Sequence, residues 1–295
     1  MEINLELYKV FYYVAESLSF SEAAKQLYIS QSAVSQSIKS LENRLDTNLF
    51  NRSTKHVSLT RDGELLYQHI EPALNLIGRG ESRLLKASSV GASQLRIASS
   101  DTICRYFLVP YLDDFHNKFP DIHLKVTNGT SYECAKMLET NKVDLIITNS
   151  PNIAIKNTME VHTIKAFNDV FIANPDYFPT QEISTLKDLL KHPILMLTKK
   201  STTSEFLHNV CLKHSLNLVP EIEISSNDLL IDLARIGLGI AFIPDFCLKD
   251  DEDSLVRIKT KEKIPKRHLI SAYNATIPLS DPARYLIDNL GQSFK

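Results

Sequence analysis

Cysteine is scarce in this sequence and never paired. Cys104, Cys134, Cys211 and Cys247 stand apart, with no CxxC motif and no histidine at zinc-finger spacing. That excludes a disulfide framework and a zinc ribbon, and the four side chains read as small buried hydrophobes. Long apolar runs are also missing. A membrane span needs roughly 18 consecutive apolar residues, and no stretch approaches that. The opening MEINLELYKVFYYVAESL mixes acidic and polar groups with apolar ones. It lacks the basic start and small-residue cleavage site of a signal peptide, so a cytoplasmic protein with no membrane partner is expected. Catalytic signatures are absent too: there is no GxSxG, no GxxxxGK(S/T), no HExxH and no GxGxxG. His162, His192, His208 and His214 fall in no recognisable metal-ligand spacing. No enzymatic activity, metal or cofactor is expected.

The net charge of −2 does not announce a nucleic-acid partner, but whole-chain charge hides local patches. Between Gln36 and Arg61, five basic residues (Lys39, Arg44, Arg52, Lys55 and Arg61) face only Glu42 and Asp46, with His56 in addition. Such a run by itself is an ordinary solvated face. With 295 residues, 43% of them hydrophobic and 23% charged, the chain is too long for one small core and fits two or three compact units.

The first unit reads as helices. Leu7, Phe11 and Val14 recur at i, i+4 and i+7 in a helix over 4–17. Ser19-Phe20-Ser21-Glu22 fits a capping box, with Ser19 as N-cap and Glu22 reaching back. Phe20, Ala23, Ala24 and Leu27 then give a second helix a buried face. After the break at Tyr28-Ile29-Ser30, Ser30 caps a third helix that starts at Gln31. Val34, Ile38, Leu41 and Leu45 line one side of it. Ser32, Ser35, Gln36 and Lys39 line another, short and hydrogen-bonding, with one cation and no carboxylate. That pattern suits either a plain solvated face or a helix that reads base edges in the major groove, with Gln31 placed at its start. Two short alternating runs, Leu49–Arg52 and Val57–Thr60, flank a polar turn and read as a hairpin, a wing beside a helix-turn-helix. Arg52 and Lys55 would reach the sugar-phosphate backbone or the minor groove.

The run SFSEAAKQLYISQSAVSQSIKSLENRL, continued by LFNRSTKHVSLTRDG, resembles the DNA-binding signature of the bacterial LysR-type transcriptional regulators over roughly residues 5–65. The resemblance implies that Gln31–Lys39 enters the major groove and that Arg52–Lys55 forms the wing. Its DNA contacts, carried over by position, are Ser21, Gln31, Ser32, Ser35, Gln36, Lys39, Arg52 and Lys55. Two departures stand out. Ser32 replaces the family's usual proline, and Gln36 stands where arginine is frequent. Arginine favours guanine, whereas glutamine pairs bidentately with adenine, so an adenine preference is expected at one half-site position.

The fold class implied is α+β multidomain: an N-terminal winged helix-turn-helix, a linker helix, and a C-terminal α/β effector domain like a two-lobed periplasmic binding protein. The expected boundaries are 1–62 for the DNA-binding domain, 63–91 for the linker helix and hinge, and 92–295 for the effector domain. Lobe I takes about 92–163 and 268–295, and lobe II about 164–267. Leu65, Leu66, Ile70, Leu74, Ile77 and Leu84 show near-heptad spacing, which a second copy of the chain would cover in a homodimer or homotetramer. Pro72 is awkward there and leaves two shorter helices as the alternative. The small, polar stretch 87–93 reads as the hinge.

From Gln94 onward apolar runs alternate with amphipathic segments, a βαβαβ rhythm that predicts a mostly parallel sheet covered by helices. Strands are expected at 95–98, 122–127, 143–148, 161–165, 169–173, 194–197, 221–225, 240–244 and 268–273. Helices are expected near 102–118, 131–140, 185–191, 202–215, 227–236 and 281–291. Ligands of open α/β sheets bind beyond the carboxyl ends of strands. Hydroxyls and amides gather there in five clusters, each explicable as helix capping but together pointing to a pocket. The effector-site residues chosen by position are Ser99, Ser100, Thr102, Thr130, Ser131, Thr148, Thr202 and Asn227. Asp101 either caps its helix or faces the pocket, where it would disfavour a simple anion.

Thiol sensing, found in one peroxide-sensing branch of that family, is not expected. Only Cys104 neighbours a cation, Arg105, and position 201 is serine. The reading that covers both halves is a regulator that binds double-stranded promoter DNA, responds to a small-molecule effector and contacts RNA polymerase. A solute-binding protein fits the α/β half alone, and a DNA-architectural protein that ignores ligands fits the first half alone.

Overall fold

The computed structural model describes residues 3–52, 56–87, 94–248 and 254–292. The chain divides into two compact units, Met1–Val90 with Thr140–Lys142, and Gly91–Glu139 with Val143–Lys295.

The first unit opens with three helices, α1 (Leu5–Ser17), α2 (Phe20–Leu27) and α3 (Gln31–Leu45). Polar N-caps start all three: Asn4, Ser19 and Ser30 accept hydrogen bonds from the backbone N–H groups of Glu6, Glu22 and Ala33. The Glu22 carboxylate lies against Lys25 at 3.4 Å. All three helices end on a non-glycine residue in the left-handed region: Leu18 (φ 47°), Tyr28 (φ 56°) and Asp46 (φ 50°). Their apolar stripes meet in one core around Phe11, Val14, Ala23, Val34, Ile38 and Leu41. Phe50 closes the core, with its ring 5.5 Å from that of Phe11 and 5.8 Å from that of Phe20. Strands β1 (Phe50–Arg52) and β2 (Val57–Leu59) pair antiparallel, Phe50 opposite Leu59 and Arg52 opposite Val57.

Helix α4 (Arg61–Ala87) runs 27 residues, about 40 Å at the usual rise, and continues through Pro72. The alternative of two separate helices is thereby corrected: the backbone stays helical on both sides of the ring. Gly63 is required where α4 begins, because a Cβ there would lie 2.1 Å from the Leu49 carbonyl oxygen. The expected single stripe splits in two. Leu66, Tyr67 and Ile70 pack on the first unit's core, whereas Leu65, Leu76, Ile77 and Leu84 are exposed. Of the expected hinge over 87–93, Ala87 still belongs to α4 and the rest lies outside the described residues.

The second unit contains two five-stranded sheets. The first begins with β3 (Gln94–Ser99), followed by α5 (Asp101–Ile103), a π-helical turn (Cys104–Leu108) and α6 (Val109–Lys118). Then come β4 (His123–Asn128), α7 (Ser131–Glu139), β5 (Leu145–Ser150) and β6 (Met159–Phe167). The second is built from β7 (Asp169–Ala173), α8 (Leu186–Leu189), β8 (Ile194–Leu197), α9 (Thr202–Lys213), β9 (Ile222–Ile224), α10 (Asn227–Arg235), β10 (Ile240–Pro244) and β11 (Val256–Ile258). Finally β12 (Arg267–Asn274) rejoins the first sheet and α11 (Asp281–Asn289) packs beside α6. The strand orders are β4-β3-β5-β12-β6 and β11-β7-β10-β8-β9.

These sheets are mixed, which corrects the expectation of a mostly parallel arrangement. The βαβ strands are parallel, but β12 runs antiparallel to β5 and β6, and β7 runs antiparallel to β10 and β11. The cause lies in the two crossings: β6 passes to β7 through the single residue Asn168, and β12 returns. A one-residue link reverses no chain around a helix, so these strands take the other direction. Each sheet buries both faces. Leu145 and Ile147 enter the core beneath α6 and α11 while Ile146 enters that beneath α7, and Ile240 and Phe242 oppose Ala241 and Ile243 in the same way.

Candidate functional site

Two surfaces carry the polar groups singled out above, one in each unit. In the first, α3 sets Val34, Ile38 and Leu41 into the core with no exposed area, so its opposite side must face outward. Gln31, Ser32, Gln36 and Lys39 are exposed there, Ser35 is half-buried, and Ser21 is exposed in the first turn of α2. The Ser32 hydroxyl lies 2.8 Å from that of Ser30, beside the helix start. Arg52 stands in β1, and its side chain, like the whole of Lys55, lies outside the described residues.

Glu42, counted among the acids of the basic stretch, does not face solvent. It is buried, and its Oε1 accepts from the backbone N–H groups of Leu49 at 2.9 Å and Phe50 at 3.3 Å. The carboxylate thereby holds the entry to β1 and is withdrawn from the surface that carries Lys39, Arg44 and Arg61. The spacing of the charges gave no sign of this, because the partner amides lie seven and eight residues away.

In the second unit a cavity of about 430 Å³ opens between the two sheets' carboxyl ends. Six of the eight residues chosen by position line it: Ser100, Thr102, Thr130, Ser131, Thr202 and Asn227. The other two are turned into the first sheet. Ser99 is fully buried and donates to the Ile147 carbonyl at 2.9 Å, and Thr148 is buried within β5. Its neighbour Asn149 lines the cavity instead, as alternation along a strand dictates. Asn128, Pro244 and Phe246 also line it; Asn128 and Pro244 are the last residues of β4 and β10, and Asn128 directly precedes the Gly129-Thr130-Ser131 cluster.

Helix starts converge on this space, each with its own cap. Ser100, Ser201 and Ser226 accept from the N–H groups of Ile103, Ser204 and Leu229. Thr130 and Glu133 form a reciprocal capping box, with bonds of 3.2 Å and 2.7 Å. Ser100 is therefore the cap of α5, and Asp101 lines the cavity. Bonds cross from one sheet's side to the other: Asn227 donates to Thr102 at 2.9 Å, and the Thr202 and Ser131 hydroxyls meet at 3.4 Å. Tyr106 donates to Asp228 and Tyr132 to Glu205.

Behind the cavity, where the chain passes between the sheets, Arg267 is fully buried. It forks onto Asp169 with bonds of 2.6 and 2.7 Å and donates to Thr203 at 2.9 Å. Its guanidinium lies 4.9 Å from the ring centre of Phe167 and 5.1 Å from that of Phe206. Burial pushes the Asp169 carboxyl up, and Arg267 opposes that shift.

All four cysteines are free thiols. Burial pushes Cys211 up to about 11 and Cys134 up to about 12, and it also raises Cys104 and Cys247. None carries the lowered pKa that a reactive thiolate needs. Among the described residues no helix is long and apolar enough to cross a membrane.

Comparison with known proteins separates the chain where the structure does. Residues 5–64 match the bacterial regulatory helix-turn-helix proteins of the lysR family, and residues 89–295 match the LysR substrate binding domain. The transcriptional regulator CysL of Bacillus subtilis is 30% identical over 253 residues, covering 83% of this chain and 82% of that protein. The regulator CrgA of Neisseria meningitidis serogroup C is 28% identical over 275 residues, 92% of this chain and 90% of that one. Two solved structures share the fold. Full-length OxyR from Pseudomonas aeruginosa superposes with a TM-score of 0.67 at 19% identity over 98% of both chains. CbnR bound to its target DNA gives 0.64 at 17% identity over 98% of this chain and 99% of that one. The two matched regions fall on the helix-turn-helix and on the two-sheet domain described above, and the chain belongs to the LysR family of transcriptional regulators.

Proposed function

We propose that this regulator reads a two-fold promoter site through α3 and responds to a small molecule held between its two lobes. Gln31, Ser32, Ser35, Gln36 and Lys39 contact the major groove, Ser21 contacts phosphate, and Arg52 and Lys55 reach from the wing. The DNA-binding domain spans 1–62, the linker 63–91 and the effector domain 92–295. Lobe I takes about 92–163 and 268–295, and lobe II the stretch between. The effector meets Ser100, Thr102, Thr130, Ser131, Thr202 and Asn227, with Ser99 and Thr148 supporting the wall behind them. The exposed leucines of α4 pair with a second copy, giving a homodimer or homotetramer. The protein works in the cytoplasm without catalysing a reaction. Effector binding shifts the population of lobe arrangements and so changes contact with DNA and RNA polymerase.

The observation that carries this reading is the outward face of α3. It combines amides, hydroxyls and one lysine, and the one carboxylate in the helix, Glu42, is buried. Fluorescence anisotropy with DNA from upstream of the protein's own gene, against scrambled DNA over a salt series, tests it. Tight, selective binding is expected. Gln36→Ala should remove about 1–3 kcal/mol of discrimination, at a position where adenine is preferred. Arg52→Ala should weaken binding to all sequences and reduce the salt dependence. Binding with no preference over scrambled DNA, together with failure to select any site from random DNA, would overturn the reading.

A further inference from the structure

The cavity's charge and its unmatched polar atoms identify what it takes. Its lining carries one charged side chain, Asp101, and no lysine, arginine or histidine. Two residues of the lining, Asn149 and Asn227, 8% and 3% exposed, each hold a buried Oδ1 acceptor without a hydrogen-bond partner. A ligand that is only an anion would leave these oxygens unmatched and meet a carboxylate at the mouth. A ligand that is only a cation would face the positive ends of α7, α9 and α10, which all start at the cavity. The caps occupy the third N–H of each helix start, and the earlier N–H groups stay available to an anionic oxygen.

We infer that the cleft takes a small zwitterion, an amine-bearing carboxylic acid of amino-acid size. Its protonated amine sits at Asp101 and the asparagine oxygens, and its carboxylate at the helix N-termini. This inference rests on the reading that the cleft is the effector site.

The test uses the full chain carrying Phe246→Trp. Phe246 lines the cavity, and the sequence contains no tryptophan, so the new indole is the sole such fluorophore and reports occupancy of the cleft. The probes are the L-amino acids, each beside the carboxylic acid that lacks the amine, measured by fluorescence and by calorimetry. At least one amino acid should shift the fluorescence, with its deaminated counterpart binding about tenfold more weakly or worse. Asp101→Asn should weaken the amino acid by about tenfold and leave the deaminated acid unweakened. Equal binding of the two acids, indifference of the amino acid to Asp101→Asn, or silence from every amino acid would overturn the zwitterion. Binding heat without any fluorescence change would place the effector elsewhere and overturn the cleft reading itself.

Discussion

The face of α3 and the cleft are built in opposite ways. The first draws on nine consecutive positions, Gln31–Lys39, held by one helix whose inward side is core. The second draws on six separate stretches of chain, brought together by two sheets. On α3, the side chains proposed to read DNA and those that fold the helix are different. Gln36 and Lys39 are exposed, while Val34 and Ile38 do the packing. In the cleft one residue serves both ends. Asn227 lines the cavity and also bonds Thr102 across it, and Thr202 lines it and meets Ser131. A helix face is therefore free to change sequence preference without changing the fold. A change in the cleft alters ligand contacts and lobe contacts together.

The largest expected effect falls on the second unit. Replacing Arg267 by methionine removes the guanidinium and leaves Asp169 in a site without solvent. Breaking a buried pair from one side costs about 3–5 kcal/mol. Denaturant unfolding should show that loss in the effector unit alone, with the transition of the helix-turn-helix unit unchanged. The deficit should depend on pH. Burial and, less strongly, the Asp245 carboxylate then act on the Asp169 carboxyl, raising its folded pKa above its unfolded value. A group raised in this way stabilises the fold when protonated and loses that contribution as pH rises through the folded pKa, so the deficit should shrink toward acid. Asp169→Leu added to Arg267→Met should recover most of the loss. A single variant as stable as the parent at neutral pH would mean that the pair does not hold the crossing.

A second change tests the claim that packing and reading are separate in the first unit. Glu42→Ala deprives the Leu49 and Phe50 amides of their acceptor. Buried donors left unmatched cost roughly 1–3 kcal/mol, so the helix-turn-helix unit should lose that much stability. Its DNA affinity, measured well below the melting temperature, should change little, because the carboxylate is turned inward onto the Leu49 and Phe50 amides and contacts no DNA. A clear rise in affinity at low salt would show instead that Glu42 belongs to the reading surface.

The two surfaces also differ in how far they are legible in the sequence. The start of α3 follows from Ser30 and its two faces from a spacing of three and four, and both are local facts. Strands β8 and β10 stand at the expected 194–197 and 240–244, because short apolar runs bounded by turns are local as well. What escaped is set by distant pairing. The three residues of β11 are a strand only because they lie along β7. The antiparallel direction of β12 is fixed by the return of the chain, which no pattern within it records. Ser99 and Thr148 stand at strand ends, but whether a strand-end side chain points to the cavity or into the sheet depends on register. Sequence alone does not decide whether Asp101 caps its helix or faces the cavity; the cap is Ser100, and Asp101 lines the cavity.

The smallest effect concerns a residue that neither packs nor lines a site. Tyr28 ends α2 at φ 56° and ψ 37°, and its backbone N–H reaches back to the Ala24 and Lys25 carbonyls. The left-handed conformation satisfies the helix end but crowds a Cβ, at roughly 1–2 kcal/mol for a residue other than glycine. The ring is 95% exposed, so no packing offsets that strain. Tyr28→Gly should therefore stabilise the helix-turn-helix unit by about 1 kcal/mol, the larger conformational entropy of an unfolded glycine taking back part of the relief. Denaturant midpoints of the two proteins measure it, and a loss of stability would mean that the tyrosine is not strained. The same variant sharpens the contrast between the units. The turn between α2 and α3 sets the angle of the reading helix but contributes no wall to a cavity, so its glycine form should bind DNA with unchanged sequence preference. A changed preference would make Tyr28 itself part of the DNA interface, and the separation of folding from reading would then stop at the edge of α3.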